Sequence, residues 1–411
     1  MNNAKVSIII PVWNLWDMTA ACLRSLAMHT REENVEIVVV DNGSTDATTT
    51  KLEALGRALW GAAFYPVRLT ANLGFAGGCN AGAAAATGDL LFFLNNDTTV
   101  TPGWLPPLRE ALGRQCMGAV GPLLLYPNGT IQHCGIFFTP FLQVGHLYEG
   151  FPGGHPVPRN KRPLQAITGA AMLLRKDVFW ECGGFFEGFR NGFEDLDLCF
   201  ELRGKGYALA VEGRSVIVHH TSQTPGRFDH DNANGMLFCQ RQARRLRPDL
   251  HILAALDGYE LRLGPNLGHW LELPEAVEEK RNADFDARFT ANEEACRAEL
   301  EHEPLWRGGW HRLMDMLEAR GDMTAALLSA TRCVMFLGDE VSREKLLHLT
   351  AAVEGPDYAA SVRAALTGSV GDDLAGAAKA RVQRTRRAAY DMGDTLLAEV
   401  FNQWLLRYGR A

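Results

Sequence analysis

Residues 72–98 read NLGFAGGCNAGAAAATGDLLFFLNNDT, an order that few folds accommodate. A glycine-rich turn leads into a helix of small residues, then an apolar strand, then a polar loop ending in Asp97. Leu90–Leu94 is apolar at every position, the pattern of a parallel strand buried on both faces. Asn95, Asn96 and Asp97 follow at its carboxyl end, where open α/β sheets bind ligands. A carboxylate and two amides there suit a metal ion, a ribose or a diphosphate. The same triplet also makes an ordinary turn.

Residues 6–10, 35–40 and 63–69 read as further strands. A helix is expected over 15–29, one from about Ala47, and a short small-residue helix over 77–86. The second strand delivers Asp41 to its carboxyl end. Strands alternating with helices imply right-handed βαβ units and a mostly parallel sheet flanked by helices. A helix over 104–112 and a strand over 118–125 continue the rhythm. Residues 126–165 crowd proline, glycine, histidine and aromatics together and read as an irregular insertion, either a binding surface or a packing loop. Order resumes over 166–175, where Gly169 permits close approach of backbone to a ligand or neighbour. Glu194 and Asp195 open a helix running to Arg203, a place where the helix dipole favours carboxylates. Two short strands are expected over 207–212 and 216–218, followed by His219 and His220.

Beyond about residue 250 the pattern is helical. One segment, Trp310 to Ala330, resembles a tetratricopeptide-like helix pair, although a plain helical hairpin explains it as well. The expected division is therefore a sheet domain over 1–250, with a nucleotide-binding half over about 1–100 and an acceptor half over 101–250, and a helical domain over 251–411. With 411 residues the chain is long enough for both. A formal net charge of -7 argues against a duplex nucleic-acid binder. Nine cysteines without a close pair suggest reduced thiols and a cytoplasmic setting. The first apolar run is short and broken by Pro11, so it reads as a strand rather than a signal segment. No stretch is long and apolar enough for a membrane helix, so membrane association is expected to be peripheral at most.

Asp41, Asp97, Asp195 and His219 all fall at strand ends or loops, and a sugar nucleotide needs such a set. Its base and ribose need a carboxylate or backbone partners. Its diphosphate needs positive charge as the glycosidic bond breaks, which a divalent metal supplies. An acceptor hydroxyl needs a general base on the opposite face of the sugar.

The segments VSIIIPVWN, VVVDNGSTD, NLGFAGGCNAG, GDLLFFLNND and GGFFEGFRNGFEDLDLCFELRGKGY occur in this order and spacing. Together, over residues 5–225, they resemble the inverting glycosyltransferases of family 2, and among them the rhamnosyltransferase-like subgroup. The resemblance implies the nucleotide-diphospho-sugar transferase (GT-A) fold. It implies that Pro11, Val12 and Asn14 line the nucleotide and that Asp41 bonds its base. Asn72, Gly74, Phe75 and Asn80 would wall the nucleotide and sugar, and Gly169 is counted with the nucleotide-sugar-binding residues. Asn95-Asn96-Asp97 stands at the family's DxD position, with Asn95 in place of the first carboxylate. Asp97 would bind Mn²⁺ or Mg²⁺. Glu194-Asp195 matches the family's ED motif, which makes Asp195 the general base. His219-His220 with Ser222 and Thr224 resembles a late metal-ligand motif, and His219 is taken as the ligand.

The activity so implied is metal-assisted single displacement from a UDP or dTDP sugar to a hydroxyl on a glycan, a lipid-linked glycan or a protein. Nucleic acid is not among the expected partners, whereas a second copy docking through the C-terminal helices is. The alternative is a non-catalytic nucleotide-binding or scaffold protein on the same fold. A dinucleotide oxidoreductase is excluded because its glycine fingerprint belongs after the first strand, and here the glycines follow the third.

Overall fold

The computed structural model describes residues 4–30, 33–221, 230–367 and 372–409. Ser222 and Thr224 lie outside the described residues. The chain forms two compact units, Met1–Phe137 with Val144–Arg247, and Phe138–Gln143 with Pro248–Ala411.

The first unit is built on β1 (Val6–Val12), α1 (Trp16–His29), β2 (Val35–Asn42), α2 (Thr48–Trp60), β3 (Phe64–Leu69), α3 (Gly74–Ala85) and β4 (Leu90–Leu94). Next come β5 (Thr98–Val100), α4 (Leu105–Leu112), β6 (Met117–Leu125), β7 (Ile131–His133), β8 (Ile136–Phe138) and β9 (Val144–His146). It is completed by β10 (Ala171–Arg175), α5 (Lys176–Glu181), α6 (Glu194–Gly204), β11 (Ala208–His219) and α7 (Asp231–Gln242).

Nine strands form one sheet in the order β3-β2-β1-β4-β10-β6-β11-β5, with β7 beside β6. Strands β3, β2, β1 and β4 run parallel, as do β6 and β11. Strand β10 is antiparallel to both β4 and β6, and β5 is antiparallel to β11. The sheet is therefore mixed, and the α/β class expected from the sequence holds.

Alternate strand residues Ile8, Ile10, Ile37, Val39, Phe92 and Leu173 pack in one cluster with Leu23 and Leu26 of α1 and Leu105 and Leu108 of α4. Full burial of each such side chain is worth roughly 1.5–3 kcal/mol. The opposite face is covered partly by α3, where small residues are required. A Cβ on Gly82 would come within 2.4 Å of Ile9 and 2.9 Å of Val40. Phe93 on that face meets Phe179 and Phe185 at ring separations of 5.0 and 4.9 Å.

The second unit contains α8 (Leu250–Leu256), β12 (Glu260–Leu263), β13 (His269–Glu272), α9 (Glu275–Arg288), α10 (Glu293–His302) and α11 (Arg307–Ala319). It ends with α12 (Met323–Phe336), α13 (Glu340–Glu354), α14 (Pro356–Thr367), α15 (Asp372–Asp391) and α16 (Thr395–Tyr408). Consecutive helices from α10 to α14 pack on one another, as do α15 and α16. The Trp310 hairpin is present as α11 and α12, with Asp322 capping α12 through Ala325 N and Trp310 stacked on Phe336. Strands β12 and β13 correct the wholly helical reading of this region. Their turn closes through Gly264 N and Gly268 O at 2.7 Å, with Leu267 at φ 64°. No helix among the described residues is long and apolar enough to cross a membrane.

Candidate active site

The register of the sheet gathers one edge. Strands β1, β2, β4, β6 and β11 end there. Strand β10 begins there, because Ala171 pairs with Leu94, and β5 begins there, because Thr98 pairs with His219. Asn95 N donates to Ala170 O at 2.9 Å and His220 N donates to Asp97 O at 2.9 Å, tying the ends together. A cavity of about 510 Å³ opens on this edge.

Asp97 and His219 meet at its floor, 7% and 9% exposed. His219 Nε2 lies 3.1 Å from Asp97 Oδ1, and its Nδ1 lies 2.7 Å from Gln132 Oε1. Where Gln132 presents Oε1 to the ring, a neutral His219 carries its proton on Nδ1. A neutral ring then turns the lone pair of Nε2 toward a carboxylate oxygen. Two electron-rich atoms so close require a proton or a cation between them. One nitrogen and one carboxylate oxygen are suitable ligands for Mn²⁺ or Mg²⁺. No group of three or more His, Cys, Asp or Glu poised to hold a metal exists among the described residues. A cation here would thus keep positions for phosphate oxygens and water, the usual arrangement for Mg²⁺. The residues present fit the metal expected from the sequence. Asn95 Nδ2 stands 3.4 Å from His219 Nε2. His220 turns instead to Thr99, its Nε2 3.3 Å from the hydroxyl.

The second cluster is set by backbone strain. Asn191 and Phe193 have φ of 55° and 74° before α6 begins. Asparagine tolerates this left-handed conformation, but a bulky phenylalanine rarely adopts it, at a cost on the order of 1–3 kcal/mol. The turn places Glu194 and Asp195 at the cavity. Asp195 Oδ2 accepts from Gly169 N at 2.7 Å and Oδ1 accepts from Leu196 N at 2.9 Å. Each carboxylate oxygen retains a lone pair for a further partner. Glu194 is buried and its Oε2 accepts from Gly192 N at 2.8 Å, holding the strained turn. Asp197 is used structurally: Arg241 bonds it at 2.9 Å through both Nε and an Nη, and Gln242 at 2.7 Å.

Of the remaining residues expected from the sequence, Pro11, Val12, Asn72, Gly74, Phe75, Asn95, Asn96 and Gly169 line the cavity. Asn14, Asp41 and Asn80 do not. Asn14 Oδ1 accepts from Thr45 N and Asp46 N at 2.7 and 3.2 Å. Asp41 is buried and accepts from Ser44 N at 2.9 Å. Asn80 bonds Phe185 through both ends of its amide, at 2.8 and 3.0 Å. In this structure these three shape the loops behind the wall. Asn42, beside Asp41, lines the cavity instead and bonds Asn72 Oδ1 and Gly74 O at 3.0 and 2.9 Å.

The insertion, expected to be either a binding surface or a packing loop, supplies part of the cavity wall, but sequence reasoning singled out none of the residues that do so: Tyr126, Gln132, His133, His146 and Glu149 line the cavity. His133 Nδ1 lies 2.7 Å from His146 Nδ1, and His133 Nε2 accepts from Thr168 N at 3.4 Å. Burial, with His146 and His219 nearby, pushes the His133 pKa well below the ordinary histidine value. Tyr126 donates its hydroxyl to Glu149 Oε1. Burial and then that carboxylate push the phenol's pKa up. The histidines crowded into this insertion were the one available signal.

An α/β sheet that gathers carboxylates, a histidine and a deep cavity on one edge defines a ligand-binding enzyme scaffold. The chain matches the model of Glycosyl transferase family 2 over residues 7–183. It is 33% identical over 231 residues to O-antigen biosynthesis protein RfbC of Myxococcus xanthus, covering 53% of this chain and 17% of that protein. It is 31% identical over 231 residues to the uncharacterized protein y4gI of Sinorhizobium fredii, covering 54% of this chain and 25% of that protein. It is 30% identical over 240 residues to the N-acetylglucosaminyl-diphospho-decaprenol L-rhamnosyltransferase of Mycobacterium tuberculosis, covering 50% of this chain and 72% of that protein. The matches span a quarter or less of the first two relatives' length. The chain belongs to glycosyl transferase family 2.

Proposed function

We propose that the chain is an inverting glycosyltransferase that moves a sugar from a nucleoside-diphosphate donor, UDP or dTDP, to a hydroxyl of a glycan, lipid-linked glycan or protein. The observation that carries this reading is Asp195, pinned through both oxygens by Gly169 N and Leu196 N on the cavity that also holds Asp97 and His219. Asp195 removes the proton of the acceptor hydroxyl. The oxygen attacks the anomeric carbon, the bond from that carbon to the diphosphate oxygen breaks, and the electron pair leaves with the nucleoside diphosphate. Attack opposite the leaving group inverts the anomeric carbon. Glu194 holds the turn that aims Asp195. Asp97 and His219 would hold Mn²⁺ or Mg²⁺, which when bound supplies positive charge for the departing diphosphate. The described cavity wall contains no lysine or arginine to do so. An L-rhamnosyl donor is the first to try, since the Mycobacterium tuberculosis relative is named for that transfer.

Calorimetric titration of UDP, dTDP and GDP with and without Mn²⁺, on the unmodified chain and on Asp97→Ala, tests the reading. One nucleotide should bind only with the metal, and Asp97→Ala should abolish that binding. Failure of every nucleoside diphosphate to bind would overturn it in favour of a non-catalytic role.

A further inference from the structure

The insertion sends one side chain to His219 through an irregularity in the sheet. Leu125 and Leu124 of β6 pair with Ile131 and His133 of β7, so Gln132 is an extra residue on β7. Such a β-bulge breaks the ordinary alternation and re-aims the side chain it carries. The bulge is held by the chain beyond it: Ile131 N donates to Phe151 O at 2.6 Å, and Gly150 N donates to Ile131 O at 2.7 Å. On their other edge the same two leucines pair with Val218 and Ile217 of β11. Gln132 reaches past them, and its Oε1 lies 2.7 Å from Nδ1 of His219, the last residue of β11. The side chain is buried, and its Nε2 has no hydrogen-bond partner among the described residues, although the amide acts on the Tyr126 phenol nearby. An unpaired amide end inside a protein is costly, and an apolar side chain would fill the space without that cost. The gain that offsets it is the bond to His219.

We propose that Gln132 is a positioning residue for the metal: its amide oxygen takes the Nδ1 proton of His219, which fixes the ring and leaves the Nε2 lone pair for the cation shared with Asp97. The proposal rests on the transferase reading above. A neutral imidazole ligates through one nitrogen only in the tautomer that carries its proton on the other, and an acceptor for that proton makes the ligating nitrogen more basic. His219 Nε2 faces Asp97 Oδ1 at 3.1 Å, and the backbone of His219 is fixed by its pairing with Thr98. Backbone pairing sets where the ring starts, and Gln132 sets how it is turned and where its proton sits. The insertion thereby supports the donor's side of the reaction, holding a ligand that lies outside it in sequence.

The test titrates Mn²⁺ into the full chain with UDP or dTDP present, reading affinity by electron paramagnetic resonance and imidazole ligation by the nitrogen coupling in spin-echo spectra. The unmodified chain should show that coupling, and His219→Ala should remove it. Gln132→Met, of similar length but without the amide, should weaken Mn²⁺ roughly 10–100-fold and diminish the coupling. Gln132→Glu, which keeps an acceptor, should bind Mn²⁺ at least as tightly as the unmodified chain and retain the coupling. Thermal midpoints report folding. Should Gln132→Met fail to fold, Gln132→Glu decides alone, and a roughly tenfold loss of Mn²⁺ affinity overturns the proposal. The inference also falls if Gln132→Met matches the unmodified chain, or if Gln132→Glu is as weak as Gln132→Met. If Mn²⁺ and nucleotide bind together without nitrogen coupling, His219 is no ligand and this inference falls while the transferase reading stands. If neither nucleotide binds with Mn²⁺, the transferase reading itself has failed.

Discussion

Asp195 has both oxygens engaged by backbone amides, so replacing it can separate charge from placement. Asp195→Asn keeps the shape and removes the base. Turnover should fall about 10²–10⁴-fold while nucleotide affinity, measured by calorimetry, changes little. Gly169→Ala leaves the carboxylate intact and displaces it, because the new Cβ would stand 2.9 Å from Asp195 Cβ. A misplacement of that kind should cost about 10²-fold in kcat, and the thermal midpoint should fall as well, because the clash is with a Cβ that cannot swing aside. At this scale the strand-end residues were legible. Asp97 and His219 follow or end strand patterns, so their place on the ligand edge can be read from pattern, whereas Asp195, in the first turn of α6, was singled out by its match to the family's ED motif. Asn14 and Asn80 could not be separated from cavity residues, since their side chains are consumed by backbone groups 31 and 105 residues away. Tyr126, His146 and Glu149 sit in a segment without periodicity, where only the folded turn brings them together.

Among the elements, the buried Glu36 of β2 and its half-buried partner Lys5, just before β1, should govern acid stability. Glu36 accepts from Ser7 at 2.6 Å and lies 2.5 Å from Lys5 Nζ and from Thr87 Oγ1. Burial alone would raise its pKa, but bonds from Lys5, Ser7 and Thr87 outweigh burial and hold it at about 2, against an ordinary 4.5. A carboxyl with a depressed pKa stabilises the fold fully above the ordinary value and loses that contribution as pH falls toward the depressed one. A shift of this size corresponds to on the order of 3 kcal/mol. Denaturant titrations should show stability falling between pH 4.5 and about 2, with Glu36→Gln flattening the slope in that window. The elements that pattern missed have local causes. Strands β5, β7, β8 and β9 are three residues each, too short for a period to register. Strand β11 was divided because Gly213-Arg214-Ser215 interrupts its apolar run, yet the strand continues through an irregularity between Glu212 and Val216. The β12–β13 hairpin was submerged in helix-forming composition, although GPNLG between ELRL and HWLE is a turn signal.

For the whole molecule, the consequential feature is that Phe138–Gln143 belongs with the C-terminal residues. Phe138 N donates to Asp249 Oδ1 at 2.7 Å, and Phe141 packs 5.9 Å from Phe401 and under Arg381. Cutting after Arg247 removes all of these partners, leaving Phe138 N without its acceptor and the Phe141 ring without Phe401 and Arg381. A 1–247 fragment should aggregate on size-exclusion chromatography, and Phe138→Ser with Phe141→Ser should restore part of its solubility. The nine cysteines carry a different consequence. Only Cys116 and Cys239 are exposed. Cys22 lies 3.6 Å from Thr98 Oγ1, and burial, with Asp97 nearby, pushes its pKa to about 12. Cys79 is pushed well above its ordinary value by burial and by Glu194 and Asp195. Alkylating reagents attack the thiolate, so two labels should add at once and these two thiols only when α1 or α3 lifts from the sheet. The native chain therefore carries its own clock for the opening of each half of the site, readable as mass increments over time.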